Sequence, residues 1–322
     1  MAASLDPILD ADAVIQEASP ALWAGLSALG RRSRQPANFL PLQTAEARGK
    51  AFNATIGQIT DGRGRAVPLP TMAAALSGLS DAERSQAFLY SPVEGLAALR
   101  QGWRARQRRG QPDGKASSLP IVTVGPAHAR CLAAEMFAEE GRTVALYEPC
   151  LPEVRDLFEI KLGTRLLPLP LHDGRFDPTA LPRALSGLPE GEPGLLLLRF
   201  PNDTGFTPKH REKANFSRAL AEEAGKRPIV VLVDDTWEEP GAPSGSLFWY
   251  LVGCHENVVP IKVDGADGCL GFPGGRVGFL TFPFDPESGI AKALESKVKM
   301  LLRAEVGSPS TASQTILMQG VV

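Results

Sequence analysis

Residues 257–279 read NVVPIKVDGADGCLGFPGGRVGF. The first part of this stretch, residues 258–263, is an apolar run with the length and the β-branched content of a buried strand. Glycines then interrupt the apolar pattern, and a second strand opens at Arg276-Val277-Gly278-Phe279. The stretch therefore predicts two strands joined by a glycine-rich turn.

Strands and helices alternate on the N-terminal side of this stretch. Apolar or β-branched runs predict strands at 120–124, 143–147, 165–168, 194–200 and 229–233. Segments with helical spacing lie between several of these runs, and a last helix follows residue 289. This rhythm predicts an α/β protein whose mostly parallel sheet is covered by helices on both faces.

Candidate ligand-binding residues follow the predicted strands. Ligands of such sheets bind at the carboxyl ends of the strands. Gly125-Pro126-Ala127 follows the first strand and opens a helix, whose free N–H groups and dipole suit a phosphate. Asn202 follows the strand at 194–200, and Asp234 follows the strand at 229–233. We expect these residues and Arg276 to converge at one rim, although ordinary turns and capping residues remain alternatives.

The order of these segments resembles the large domain of the fold-type I pyridoxal-phosphate-dependent aminotransferases, the class I/II aminotransferase family. The resemblance extends from about residue 53 to residue 279, and the order of the motifs is its specific part. It implies a seven-stranded type of sheet, pyridoxal 5′-phosphate (PLP) as cofactor, and amino-group transfer between an amino acid and a 2-oxo acid.

The resemblance also implies a role for each residue at a strand end. Gly125-Pro126-Ala127 would cradle the cofactor phosphate, and Arg276 would clamp it. Asn202 would hydrogen-bond the phenolic oxygen of the cofactor, and Asp234 would pair with the protonated ring nitrogen. Trp237 stands where the family has a tyrosine that contacts the same phenolic oxygen.

Three residues nearer the N-terminus extend the resemblance. Tyr90 matches a tyrosine that reaches the phosphate in the neighbouring subunit, which implies a homodimer. Asn53 and Gly57 lie in a stretch similar to the N-x-x-I-G sequence that lines the substrate side. The implied domains are an N-terminal arm with part of the small domain (1–60), a large PLP-binding domain (61–305) and the start of a truncated C-terminal small domain (306–322).

The position of the expected Schiff-base lysine is occupied by Gly268, eight residues before Arg276. Asp264-Gly265-Ala266 matches the start of the family's D-G-A-T-K-E form, which supports this register. Lys262 lies six residues upstream of Gly268, about 20 Å along an extended strand, and cannot substitute. Two hypotheses stay open: an aminotransferase whose catalytic positions are 268 and Asp234, and a catalytically impaired or truncated relative that at most binds PLP.

Composition limits the other classes of function. The chain has 322 residues, with 43% hydrophobic and 22% charged residues and a net charge of −2, so we expect neither nucleic-acid nor membrane binding. Its 4 cysteines and 4 histidines are scattered, and no metal site is predicted. The acidic N-terminus lacks the basic region of a signal peptide, so the expected location is the cytoplasm.

Overall fold

The structure is a computed structural model that describes residues 11–33, 40–47, 49–50, 55, 59–61, 63–111, 113–148, 150–169, 180–189, 191–201, 205–238 and 245–321. Three of the predicted site residues, Asn53, Gly57 and Asn202, lie outside these ranges.

Seven strands form one sheet in the order β1-β7-β6-β5-β4-β2-β3. The strands are β1 (Ile121–Val124), β2 (Thr143–Tyr147), β3 (Arg165–Leu169), β4 (Gly194–Arg199), β5 (Ile229–Asp234), β6 (Val258–Gly265) and β7 (Val277–Thr281). The neighbours from β6 to β3 are parallel, whereas β7 runs antiparallel to both β1 and β6. The predicted α/β class and mostly parallel sheet are confirmed. The connection from β6 to β7 spans residues 266–276 and contains no crossover helix longer than one turn, which suits an antiparallel step.

The helices lie before, between and after the strands. They are α1 (Ala11–Ala18), α2 (Pro20–Gly25), α3 (Ala28–Arg32), α4 (Leu40–Glu46), α5 (Pro70–Ser77), α6 (Asp81–Gln86), α7 (Ala97–Arg108), α8 (Pro126–Phe137), α9 (Pro152–Arg155), α10 (Ala180–Ser186), α11 (His210–Ala224), α12 (Leu247–Leu251), α13 (Ala266–Cys269), α14 (Gly289–Glu305) and α15 (Thr311–Val321). A π-helical turn, Asp156–Lys161, follows α9, and a 3₁₀ turn, Pro273–Gly275, precedes β7. None of the helices in the described ranges is long and apolar enough to cross a membrane.

Helices cover both faces of the sheet. Helices α8 and α14 pack on the face that contains Leu232 of β5 and Val263 of β6, here called the α8 face. Helices α11 and α12 pack on the opposite face against Val231 and Val233, and α7 lies on this same side against Phe279 of β7. We call this second side the α7 face. Both faces are apolar because a parallel strand between two helical layers is buried on each side.

Strand alternation decides which face each polar residue meets. Successive side chains point to opposite faces, so Asp234 shares the α8 face with Leu232. By the same rule, Lys262 and Asp264 point away from Val263 and towards α7. Buried charged side chains therefore lie on both faces of the sheet. Asp234 on the α8 face and the pair of Lys262 and Asp264 on the α7 face have different partners.

Candidate functional site

Gly125 and Arg276 meet at the beginning of helix α8. Gly125 lies between β1 and α8 with a φ of 84°, a conformation that favours glycine. A Cβ atom on Gly125 would lie 2.5 Å from Nη2 of Arg276, so the guanidinium rests directly on the turn. The antiparallel pairing of Val124 with Val277 brings these two segments together. We call Gly125–Ala127 and Arg276 the phosphate end of the site.

An anion at the phosphate end would meet several favourable groups. The first N–H groups of a helix have no partner within it, and the helix dipole adds positive potential there. Arg276 presently forms an ion pair with Asp267 at 2.8 Å, and its side chain is about half exposed. Burial raises the pKa of Asp267 to about 6, although Arg276 opposes the rise. Oδ1 of Asp267 is buried without a hydrogen-bond partner among the described residues.

Asp234 ends β5 and is completely buried. Its Oδ2 accepts a hydrogen bond from Nη1 of Arg130 at 2.6 Å, and its Oδ1 accepts from the backbone N–H (3.1 Å) and the hydroxyl (2.5 Å) of Thr236. Burial pushes the pKa of Asp234 upwards, but Arg130, Arg199 and Thr236 outweigh it and hold the pKa below its ordinary value. Asp234 is therefore ionised and already paired within the protein.

Gly268 lies in α13 and packs against the segment that follows Asp234. A Cβ atom on Gly268 would lie 2.5 Å from the carbonyl oxygen of Thr236 and 2.8 Å from Cε3 of Trp237. Asp234, Thr236, Trp237 and Gly268 thus form one tight cluster, which we call the ring end of the site. A side chain at position 268 has no space in this arrangement.

Lys262, the alternative amine, lies on the α7 face of the sheet. Its Nζ pairs with Asp235 and lies 3.5 Å from Oδ2 of Asp264, whose carboxylate also accepts hydrogen bonds from Trp103 and Gln107 of α7. Burial alone would lower the pKa of Lys262, but the neighbouring carboxylates raise it above its ordinary value. The side chain is therefore a fixed ammonium that points away from α8. The sequence signal that could have predicted this network is the spacing of Lys262 and Asp264, which places both side chains on one face of β6.

The remaining predicted site residues do not join the cluster within this chain. Tyr90 is 98% exposed, which leaves it outside both ends of the site. Pro126 and Ala127 occupy the first turn of α8, as part of the phosphate end. Among the described histidines, cysteines, aspartates and glutamates, no group of three or more is placed to hold a metal ion.

The described residues fit PLP at the phosphate end of the site and do not fit it at the ring end. The phosphate end offers a guanidinium and a helix N-terminus to a phosphate group. At the ring end, Asp234 already accepts three hydrogen bonds and has no exposed surface, and position 268 supplies neither an amine nor space for one. The described residues therefore do not fit the whole cofactor in the pose that the resemblance implies.

Comparison with known proteins identifies the fold. No protein-family model matches the chain, and no curated protein matches it in sequence. Among solved structures, an aminotransferase from Anaerococcus prevotii is similar with a TM-score of 0.70 at 19% identity, over 86% of this chain and 70% of that one. An aromatic-amino-acid aminotransferase from Burkholderia pseudomallei, covalently bound to pyridoxal phosphate, gives 0.69 at 18% identity, over 91% and 74%. An aminotransferase from Mycobacterium tuberculosis gives 0.66 at 20% identity, over 88% and 68%. The chain thus has the α/β fold of the fold-type I PLP enzymes.

Proposed function

We propose that this chain is a non-catalytic protein with the aminotransferase fold, which binds a phosphate-bearing ligand reversibly and does not transfer amino groups. The observation that carries the proposal is the geometry at Gly268. The position offers no amine, and the carbonyl oxygen of Thr236 lies 2.5 Å from where its Cβ would stand. Lys262 does not replace the amine, because it is paired with Asp235 on the opposite face of the sheet.

The ligand would be held at the phosphate end. Arg276 and the N-terminus of α8 can bind the phosphate of PLP or of another phosphate ester through charge-assisted hydrogen bonds. When bound to a lysine, PLP supplies an electron sink for amino-acid chemistry. Without a lysine at position 268, this chain would only bind and orient the phosphate group.

Amino-group transfer between an amino acid and a 2-oxo acid is the alternative function. The position of Arg276 over Gly125 is compatible with it, since this pair would also clamp the phosphate of a catalytic cofactor. The paired state of Asp234 speaks against it, because the carboxylate is already neutralised by Arg130.

We also propose that two copies of the chain form a homodimer. Phe88 is 91% exposed, Tyr90 is 98% exposed, and Leu89 between them is also exposed. Three consecutive exposed apolar or aromatic residues are unusual on a free surface, and aromatic residues are enriched at protein interfaces. Tyr90 would then face the partner, in agreement with the role that the resemblance implies.

Trapping with borohydride tests the lack of a covalent anchor. The purified protein is incubated with PLP, reduced and digested, and the labelled lysines are mapped by mass spectrometry. We expect no dominant labelled lysine in residues 258–279, and no turnover with amino-acid and 2-oxo-acid pairs. Stoichiometric labelling of Lys262, or measurable transamination, would contradict the proposal. Arg276→Ala is the matched variant for the phosphate end, and we expect it to remove most of the reversible PLP binding.

A further inference from the structure

Arg130 is a buried cation next to the ring end of the site. It lies in the second turn of α8, whose other inward residues, such as Ala129 and Leu132, are apolar. The Arg130 residue is 6% exposed, and its Nη1 lies 2.6 Å from Oδ2 of Asp234. Its Nε is buried without a hydrogen-bond partner among the described residues. The guanidinium therefore belongs to the interior, and Asp234 is its one carboxylate partner within the ranges that the structure describes.

Neither member of this pair can be exchanged freely for a ligand. A buried carboxylate that loses its partner retains the cost of removing a charge from water, and the same holds for the guanidinium. A cationic ring that approached Asp234 would have to displace Arg130, which would leave the guanidinium buried and unpaired. A neutral or anionic group would gain nothing from Asp234. The pair thus closes this part of the site to a ring that carries a protonated nitrogen.

We propose that Arg130 is a built-in counter-ion, whose guanidinium takes the place that the cationic ring nitrogen of a pyridine ligand would take beside Asp234. The inference rests on the proposed function and extends it from the missing amine to the ring contact. A phosphate ester at this site is then selected by its phosphate group and not by a ring nitrogen. Removal of the Arg130 charge should free Oδ2 of Asp234 for a ligand, while Arg199 and Thr236 continue to keep the carboxylate ionised.

Two phosphate esters that lack an aldehyde test this selection without any covalent chemistry. Pyridoxine 5′-phosphate carries a ring nitrogen, and benzyl phosphate does not. Their affinities are measured by calorimetry at pH 7 for the wild type and for Arg130→Met, which keeps a long unbranched side chain without the charge. We expect the preference for pyridoxine 5′-phosphate over benzyl phosphate to rise about tenfold or more in Arg130→Met, about 1.4 kcal/mol.

Further variants separate a counter-ion from a purely structural pair. Arg130→Lys keeps the cation and should retain the wild-type preference, and Arg130→Met with Asp234→Asn should lose the gain. In the wild-type background, Asp234→Asn should leave the preference unchanged, which tests the inference even if Arg130→Met does not fold. An unchanged preference in folded Arg130→Met, or a preference in the wild type that Asp234→Asn abolishes, would overturn the inference alone. No binding of either ester to any of these proteins would overturn the inference together with the proposed phosphate binding. A labelled lysine or turnover would overturn the proposed lack of catalysis, whatever these affinities are.

Discussion

Asp267 and an external anion compete for the same guanidinium at the phosphate end. Arg276 lies 2.8 Å from Asp267, and burial raises the pKa of Asp267 to about 6. Above this pH the carboxylate is ionised and holds Arg276; below it the carboxyl is neutral and releases Arg276. We therefore expect sulfate, whose charge is constant in this range, to bind more tightly as the pH falls from 8 to 5. Calorimetry across this range measures the effect.

Asp267→Asn is the matched variant for this competition. It should bind sulfate about tenfold more tightly than the wild type at pH 8, since one charge-assisted contact is no longer shared. Its affinity should also lose most of the pH dependence. Equal affinities of the two proteins at pH 8 would show that Asp267 does not restrain Arg276.

Gly268 tolerates no side chain in this structure, for reasons of space. Its Cβ would lie 2.5 Å from a backbone oxygen, and backbone atoms move less readily than side-chain ends. We expect Gly268→Ala to lower the free energy of unfolding by about 1–3 kcal/mol. Gly274→Ala is the control, because a Cβ there meets nothing within 4 Å, and it should change stability by less than about 0.5 kcal/mol. Urea denaturation measures both, and equal effects would show that the loop rearranges easily.

The two ends of the site differ in how far the sequence predicts them. The meeting of Gly125 and Arg276 could be expected, because Gly125 follows one recognisable strand, Arg276 opens another, and both match phosphate-binding positions of the family that the sequence resembles. The pair of Arg130 with Asp234 could not be expected, because no motif marks Arg130 and a helical arginine is normally solvated. Burial of both charges becomes visible only when α8 is placed on the sheet.

At the scale of elements, strand β6 carries a buried charge network beneath helix α7. Lys262 is the cation between Asp235 and Asp264, and all three are buried. Removal of one member of a buried pair leaves uncompensated charge, so Lys262→Met should cost about 3–5 kcal/mol. Lys292→Met on α14 is the control, because its pair with Glu287 is exposed and should contribute less than about 1 kcal/mol. A small cost for Lys262→Met in urea denaturation would mean that the carboxylates are protonated or hydrated in the fold.

Glu238 adds a pH dependence to the same network. Burial raises its pKa to about 8, the charge of Asp235 adds to the rise, and Lys262 and Lys213 oppose it. The folded protein therefore retains a proton that the unfolded chain releases near pH 4.5, so this group lowers the free energy of unfolding as pH rises from about 4.5 to 8. Relative to the wild type, the free energy of unfolding of Glu238→Gln should rise by about 1 kcal/mol or more between pH 5 and 8.5. A constant difference across this range, measured by urea denaturation, would contradict the assignment.

At the scale of the whole molecule, the alternation of strands and helices was sufficient to predict the fold class. Runs such as 194–198 and 229–233 are apolar on both faces, as is typical of a sheet between two helical layers. The order of the strands could not be predicted from those runs, because it does not follow the chain. The last strand, β7, lies in the sheet between β6 and the first strand, β1. The proposed boundaries at residues 60 and 305 stay predictions.

The exposed segment Phe88–Tyr90 bears on how two copies of the chain would assemble. A homodimer would cover its aromatic side chains and remove them from water, the main driving force of association. We expect light scattering to give twice the mass of the chain for the wild type. Phe88→Asp with Tyr90→Asp should shift the mass towards the monomer, because each carboxylate would have to be desolvated at the interface. Met300→Asp is the control, since Met300 is 62% exposed on α14 and should leave the mass unchanged. A monomeric wild type, or a dimer insensitive to both aspartates, would place the interface elsewhere or exclude it.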